Sequence, residues 1–140
     1  MKQGELKGNI VVAVRVRGMV NVRSDIEETM ERLKLRRVNN CALIKVNDPY
    51  LGMLKKCVNN IAYGQIDEPT LGKLVKKFKL NVDPKAILSG KTDIAELSTK
   101  MPLRLHPPRH GYGSVRKHFN EGGSLGYMGK EINELVSRMV

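Results

Sequence analysis

A chain of 140 residues with a formal net charge of +11 has room for one modest core and is far more basic than an ordinary small-molecule enzyme. Hydrophobic residues make up 41%, which excludes a disordered tail, and no apolar run reaches the about 18 residues that a spanning helix needs. With no Trp, two Phe and four Tyr, base stacking on aromatic platforms is disfavoured and contact with phosphate and sugar is favoured.

The first predicted element is a strand over Asn9-Ile10-Val11-Val12-Ala13-Val14-Arg15-Val16-Arg17-Gly18. Alternation puts Ile10, Val12, Val14 and Val16 on one face and Val11, Ala13, Arg15 and Arg17 on the other, so the strand begins as core and ends with two guanidinium groups. Ser24-Asp25-Ile26-Glu27 has the form of a capping box, with Ser24 as N-cap and Glu27 reaching back. Ile26, Met30 and Leu33 give the helix behind it one apolar stripe. Its acids Asp25, Glu27, Glu28 and Glu31 suit the positive end of the helix dipole and are expected to face away from any polyanion.

A second strand follows over Cys41-Ala42-Leu43-Ile44-Lys45-Val46, and Asp48-Pro49 then opens a helix, with proline where a missing N–H costs nothing. That helix shows Leu51, Leu54, Val58 and Ile61 on one face and Lys55-Lys56 on the other. Ile61-Ala62-Tyr63-Gly64-Gln65-Ile66 reads as a third strand. The order β-α-β-α-β predicts an α+β fold with the first strand central and both helices on one face of the sheet. The opposite face is expected to stay available, with Arg15 and Arg17 pointing into it or along its edge.

Asp67-Glu68-Pro69-Thr70 starts a further helix, with Leu71, Leu74, Val75 and Phe78 set against Lys73, Lys76, Lys77 and Lys79. Spacing alone weighs a solvated lysine face and a phosphate-tracking one equally. Asp83-Pro84 and Ser89-Gly90 read as turns, and Ile94, Leu97 and Met101 as a short amphipathic helix. From Leu97 to Asn120 there is no acid, but Lys100, Arg104, Arg109, Arg116 and Lys117 and all three histidines, His106, His110 and His118. Pro102, Pro107, Pro108, Gly111 and Gly113 punctuate this basic loop, which buries little of itself and is expected to take its order from a polyanion. A last helix from about Lys130 carries Ile132, Leu135, Val136 and Met139. The expected division is a core over 1–66 and a C-terminal extension over 67–140, with the basic loop at about 101–126.

Sites of catalysis are not found. Ser89-Gly90-Lys91-Thr92 resembles the end of a phosphate-binding loop, but Lys85 stands where its first glycine belongs. Gly111-Tyr112-Gly113 starts a dinucleotide pattern whose third glycine falls on Arg116. His106 and His110 lack a cysteine pair or carboxylate to complete a metal site, and Pro107-Pro108 rules out a helix joining them, so they read better as donors to phosphate or sugar. Ser24 and Ser124 read as cap and turn, and Cys41 and Cys57 as small core residues of a chain kept in the cytosol. No cofactor, no membrane and no small-molecule substrate is expected. Cationic groups recur instead in three contexts: Arg15, Arg17 and Arg23 around the first strand end, Arg36-Arg37 at the next junction, and the long loop. An ordinary solvated surface accounts for any one of these runs, while their combination with the net charge points to polyanion binding.

Val14-Arg15-Val16-Arg17-Gly18, Leu33-Lys34-Leu35-Arg36-Arg37-Val38-Asn39 and Leu51-Gly52-Met53-Leu54 together resemble the L thirty family of large-subunit ribosomal proteins. Ile61-Ala62-Tyr63-Gly64, Leu103-Arg104-Leu105, Pro108-Arg109-His110-Gly111, His118-Phe119-Asn120-Glu121-Gly122-Gly123 and Ile132-Asn133-Glu134-Leu135 resemble its longer archaeal and eukaryotic form, whose eukaryotic members are called L seven. The chain starts only a few residues before the first strand, without the long basic extension of eukaryotic members, which points to an archaeal version. The resemblance implies a three-stranded antiparallel sheet of ferredoxin-like kind and no catalytic residues. It also implies a structural role on 23S-type ribosomal RNA in the cytoplasmic large subunit, near the 5S RNA and neighbouring ribosomal proteins. On matching positions it assigns RNA contact to Arg15, Arg17, Arg36, Arg37, Arg104, Arg109, His110 and His118. Arg23 is added from its place near the first strand end, and Arg116 and Lys117 on charge alone. The rival expectation is an assembly factor or regulator of the same fold that binds RNA transiently.

Overall fold

The computed structural model describes residues 10–17, 23–33, 35–45, 48–78, 103–108, 114–118 and 123–140. Strand β1 (Ile10–Arg15) runs between β2 (Asn40–Lys45) and β3 (Ile61–Gln65), antiparallel to both. Val14 stands opposite Cys41 on one side, and Arg15 opposite Ile61 on the other. Helices α1 (Ser24–Arg32) and α2 (Asp48–Lys56) make the connections. The β-α-β-α-β order, the antiparallel pairing and the central first strand all stand as expected.

The rest of the chain widens the sheet and then covers it. After α3 (Glu68–Phe78), the two-residue β4 (Leu103–Arg104) pairs antiparallel with β2, while β6 (Gly123–Tyr127) lies parallel beside β3, with β5 (Ser114–His118) beyond it. The sheet order is β4-β2-β1-β3-β6-β5. A 3-10 turn over Gly129–Glu131 leads into the last helix, α4 (Ile132–Met139). Among its described residues the basic extension thus contributes three short strands, which its prolines and glycines disguise as loop. Ser124 lies within β6 and not in a turn.

Two apolar layers sandwich β1. Val11 and Ala13 pack with Met30 of α1, Leu51 and Leu54 of α2, and Leu33, Leu35 and Tyr63. Ile10, Val12, Val14 and Val16 pack with Leu71 and Leu74 of α3 and with Ile132, Leu135, Val136 and Met139 of α4. The two core helices do share one face. The other face does not stay open: α3 and α4 close it, because a sheet apolar on both sides gains about 1.5–3 kcal/mol from each aliphatic side chain it buries.

Close approach and one buried amide fix how α4 sits. A Cβ added at Gly64 in β3 would meet the carbonyl oxygen of Gly129 and come within 2.8 Å of Ile132 Cγ2, so only glycine admits the turn there. The Met128 N–H donates to the Tyr63 carbonyl at 2.8 Å. Asn133 is 8% exposed and joins three backbone groups from two segments. Its Oδ1 accepts from the Asp67 N–H at 2.8 Å, and its Nδ2 donates to the carbonyls of Gln65 and Lys130, both at 2.9 Å.

The turns at Asp83-Pro84 and Ser89-Gly90, the helix through Ile94, Leu97 and Met101, and residues Lys79, Lys91, Arg109 and His110 lie outside the described residues.

Candidate nucleic-acid interface

The C-terminal end of β1 is where the sequence sets its first arginines, and the structure separates them. Arg15 is wholly buried, on the α1/α2 side of the sheet. Its Nη1 and Nη2 donate to Glu27 Oε1 at 3.1 Å and Oε2 at 3.2 Å. Nη1 also reaches the carbonyls of Leu35 at 3.1 Å and Arg36 at 2.8 Å, and Nε donates to the Arg17 carbonyl at 3.1 Å. Expected as an outward contact, Arg15 is instead a core group whose fixed donors are spent on a carboxylate and three carbonyls. A buried guanidinium needs this complement, since an unpaired charge there is costly.

This buried cation shapes the loop that carries the next pair. The Asn39 N–H donates to the Arg15 carbonyl at 2.9 Å, and the Leu105 N–H to the Asn39 carbonyl at 3.2 Å. Asn39 has a φ of 69°, a left-handed conformation that asparagine tolerates. Residues 35–39 are thereby wrapped around the Arg15 side chain, and the Arg36 and Arg37 side chains are left exposed. Arg17 is exposed as well, its Nη1 3.5 Å from the Asn59 carbonyl. Arg104, opposite Asn40 in the pairing of β2 with β4, is exposed at the same end of the sheet. Exposed His106 follows it, with its backbone N–H donating to the Met139 carbonyl at 3.1 Å.

One end of the sheet therefore gathers Arg17, Arg36, Arg37, Arg104 and His106, drawn from segments far apart in sequence. Arg23 stands at the start of α1, 79% exposed, with Nε 3.4 Å from Asp25. Arg116, Lys117 and His118 belong to β5, whose side chains are outside the description.

The acids of α1 do not face away from these cations. Glu27 is turned in to Arg15, Asp25 lies 3.7 Å from Lys56 Nζ, and Glu31 Oε1 is 3.6 Å from Arg36 Nε. The capping box fails for the same reason. Helix α1 begins at Ser24 with no side-chain cap, and the Glu27 carboxylate is taken by the buried arginine.

The remaining reactive groups are core. Cys41 and Cys57 are free and buried, and burial pushes their thiols from 9.0 up to about 12 and about 11. For Cys57 the cations of Lys56 and Arg15 partly offset that push. The rings of Tyr63 and Tyr127 pack at 5.6 Å, and burial raises the Tyr63 phenol to about 12. Among the described residues no cluster of three or more His, Cys, Asp or Glu is placed to hold a metal, and no helix is long and apolar enough to cross a membrane.

Comparison with known proteins agrees with this architecture. The family model described as ribosomal protein L30p/L7e matches residues 11–59, the segment from β1 to just past α2. The large ribosomal subunit protein uL30 of Methanococcus vannielii is 41% identical, over 91% of this chain and 97% of the relative. The uL30 proteins of Nanoarchaeum equitans and Methanobrevibacter smithii are 39% and 34% identical over 90% and 92% of this chain, and over 96% and 99% of their own lengths. With such identity along nearly its whole length, the chain belongs to the uL30 family of ribosomal proteins.

Proposed function

We propose that this protein is a non-enzymatic, structural constituent of the large ribosomal subunit in the cytoplasm. In this reading it holds 23S-type ribosomal RNA near the 5S RNA, with other large-subunit proteins alongside. The observation that carries the reading is the convergence of exposed Arg17, Arg36, Arg37 and Arg104 at one end of the sheet, around a loop fastened from inside by Arg15. Four guanidinium groups held by paired strands and a braced loop present donors in fixed positions, which suits the phosphates and 2′-hydroxyls of irregularly folded RNA. Arg23, Arg109, His110, Arg116, Lys117 and His118 are further RNA contacts in this proposal, and Arg15 acts through the loop it shapes.

Recognition of this kind is electrostatic and shape-based. Each phosphate neutralised releases counterions, so affinity falls steeply with salt while base identity matters little. The deciding experiment is the sedimentation of tagged protein from lysates washed in high salt. Near-stoichiometric retention on large subunits is expected. Protein that runs free after the wash overturns the reading in favour of a transiently bound assembly factor or regulator.

A further inference from the structure

Gly52 lies in the middle of α2, exposed, and the fold gives no reason for glycine there. A Cβ built on it meets nothing within 4 Å, in contrast to Gly64, and its φ lies outside the left-handed region. In an exposed helix interior glycine is the least favourable residue after proline, so alanine would serve the free protein better. What glycine provides is a bare stretch of helix backbone, open to something that comes closer than a side chain allows.

The surroundings of that bare patch are cationic. On a helix the neighbours of position 52 are 48, 49, 55 and 56. Lys55 and Lys56 are both exposed, and helical side chains lean toward the N-terminus, which brings these two over the turn that holds Gly52. Asp48 and Pro49 stand at the start of the helix. Beyond its end comes exposed Asn59, whose carbonyl faces the Arg17 guanidinium at 3.5 Å. The patch thus leads into the arginine-bearing end of the sheet.

We infer that a sugar–phosphate segment of ribosomal RNA lies directly on the outer face of α2, closest to the backbone at Gly52, with Lys55 and Lys56 against its phosphates. This rests on the RNA-binding reading above and adds a second line of contact to it. Charge favours that occupant: around the patch Lys55, Lys56 and Arg17 stand against Asp48 and against the Asp25 that lies 3.7 Å from Lys56, and among the described residues Tyr50 is the one large hydrophobic side chain exposed on this helix, too little for an apolar protein contact.

The test compares full-length wild type, Gly52→Ala and Lys55→Ala by thermal unfolding, by binding to protein-free large-subunit ribosomal RNA across a salt series, and by incorporation into large subunits. Gly52→Ala is expected to unfold about 2–4 °C higher and yet to bind the RNA about tenfold more weakly. Lys55→Ala should melt like wild type and lower the salt slope by about one. Wild-type affinity in Gly52→Ala overturns the inference, while wild-type binding to the RNA leaves the broader reading standing. Loss from assembled subunits without loss on protein-free RNA also overturns it, by assigning the face to a neighbouring protein. Failure of the wild type itself to bind removes the reading and the inference together.

Discussion

Arg15 and Glu27 form a two-pronged ion pair, at 3.1 and 3.2 Å, in which the arginine is wholly buried and the carboxylate is 32% exposed. The pair spans the inside of the domain and its edge. Removing the arginine would strand a carboxylate together with the carbonyls of Leu35, Arg36 and Arg17, whereas removing the acid leaves three carbonyl partners for the cation. Arg15→Met is therefore expected to lose about 3–5 kcal/mol in urea unfolding, and Glu27→Gln about 1–3 kcal/mol. A cost of Arg15→Met below that of Glu27→Gln would show that the loop does not depend on the guanidinium.

At the opposite end of the sheet, Asn133 is the only side chain tying the Asp67 N–H and the carbonyls of Gln65 and Lys130 to one another among the described residues. Asn133→Ala should cost about 2–4 kcal/mol in denaturant unfolding, since it removes three hydrogen bonds to the backbone from a nearly dry site. Hydrogen exchange at the Asp67 amide should accelerate in the same variant.

Gly64→Ala forces a methyl group against the Gly129 carbonyl and Ile132. Overpacking of that kind costs about 1–3 kcal/mol, and here it has to move the turn and α4 together. Circular dichroism melts should show a lower midpoint for Gly64→Ala, with the opposite sign for alanine at Gly52, where the space is open.

Burial of the cysteines gives stability a defined dependence on alkali. Below about pH 9 both thiols are protonated in the folded and unfolded chain and contribute nothing to the pH dependence. As pH rises beyond 9.0, the unfolded chain ionises while native Cys41 holds its proton until about pH 12. Stability then falls by about 1.4 kcal/mol per pH unit for a fully shifted thiol. The stability advantage of wild type over Cys41→Val should shrink between pH 9 and 11. Native protein should also resist thiol alkylation at pH 8, and both cysteines should react once it is unfolded.

Arg36 and Arg37 are exposed and carried by a loop whose order comes from backbone and Arg15. Single alanine substitutions are expected to leave the unfolding free energy within about 0.5 kcal/mol of wild type. Each should weaken binding to large-subunit RNA and reduce the salt slope by about one. An unchanged slope in both variants would remove that loop from the interface.

Alternation and single apolar stripes made the β-α-β-α-β core legible, because strands apolar on both faces and helices with one apolar side have few other arrangements. Ile132, Leu135, Val136 and Met139 marked the last helix by spacing, though not the face it would cover. Arg15 was misread because its period puts it on a face without saying whether that face meets water. The meaning of that position depends on Glu27, which local reading had committed to a cap. Strands β4 and β6 escaped notice for a related reason. A two-residue strand, or one begun by glycine, has no pattern of its own and exists only because an edge of β2 or β3 is there to pair with.

The double covering of β1 also sets a timetable for synthesis. Its Ile10, Val12 and Val14 emerge early, but one of the two helices that shield them, Ile132–Met139, is translated more than a hundred residues later. Until then a nascent chain presents a greasy ribbon flanked by strand edges still waiting for partners, the kind of surface through which unfinished chains stick to one another. The excess of Lys and Arg over Asp and Glu, already large in the first hundred residues, makes such chains repel. The same cations that suit the finished protein to RNA thus keep its unfinished copies apart.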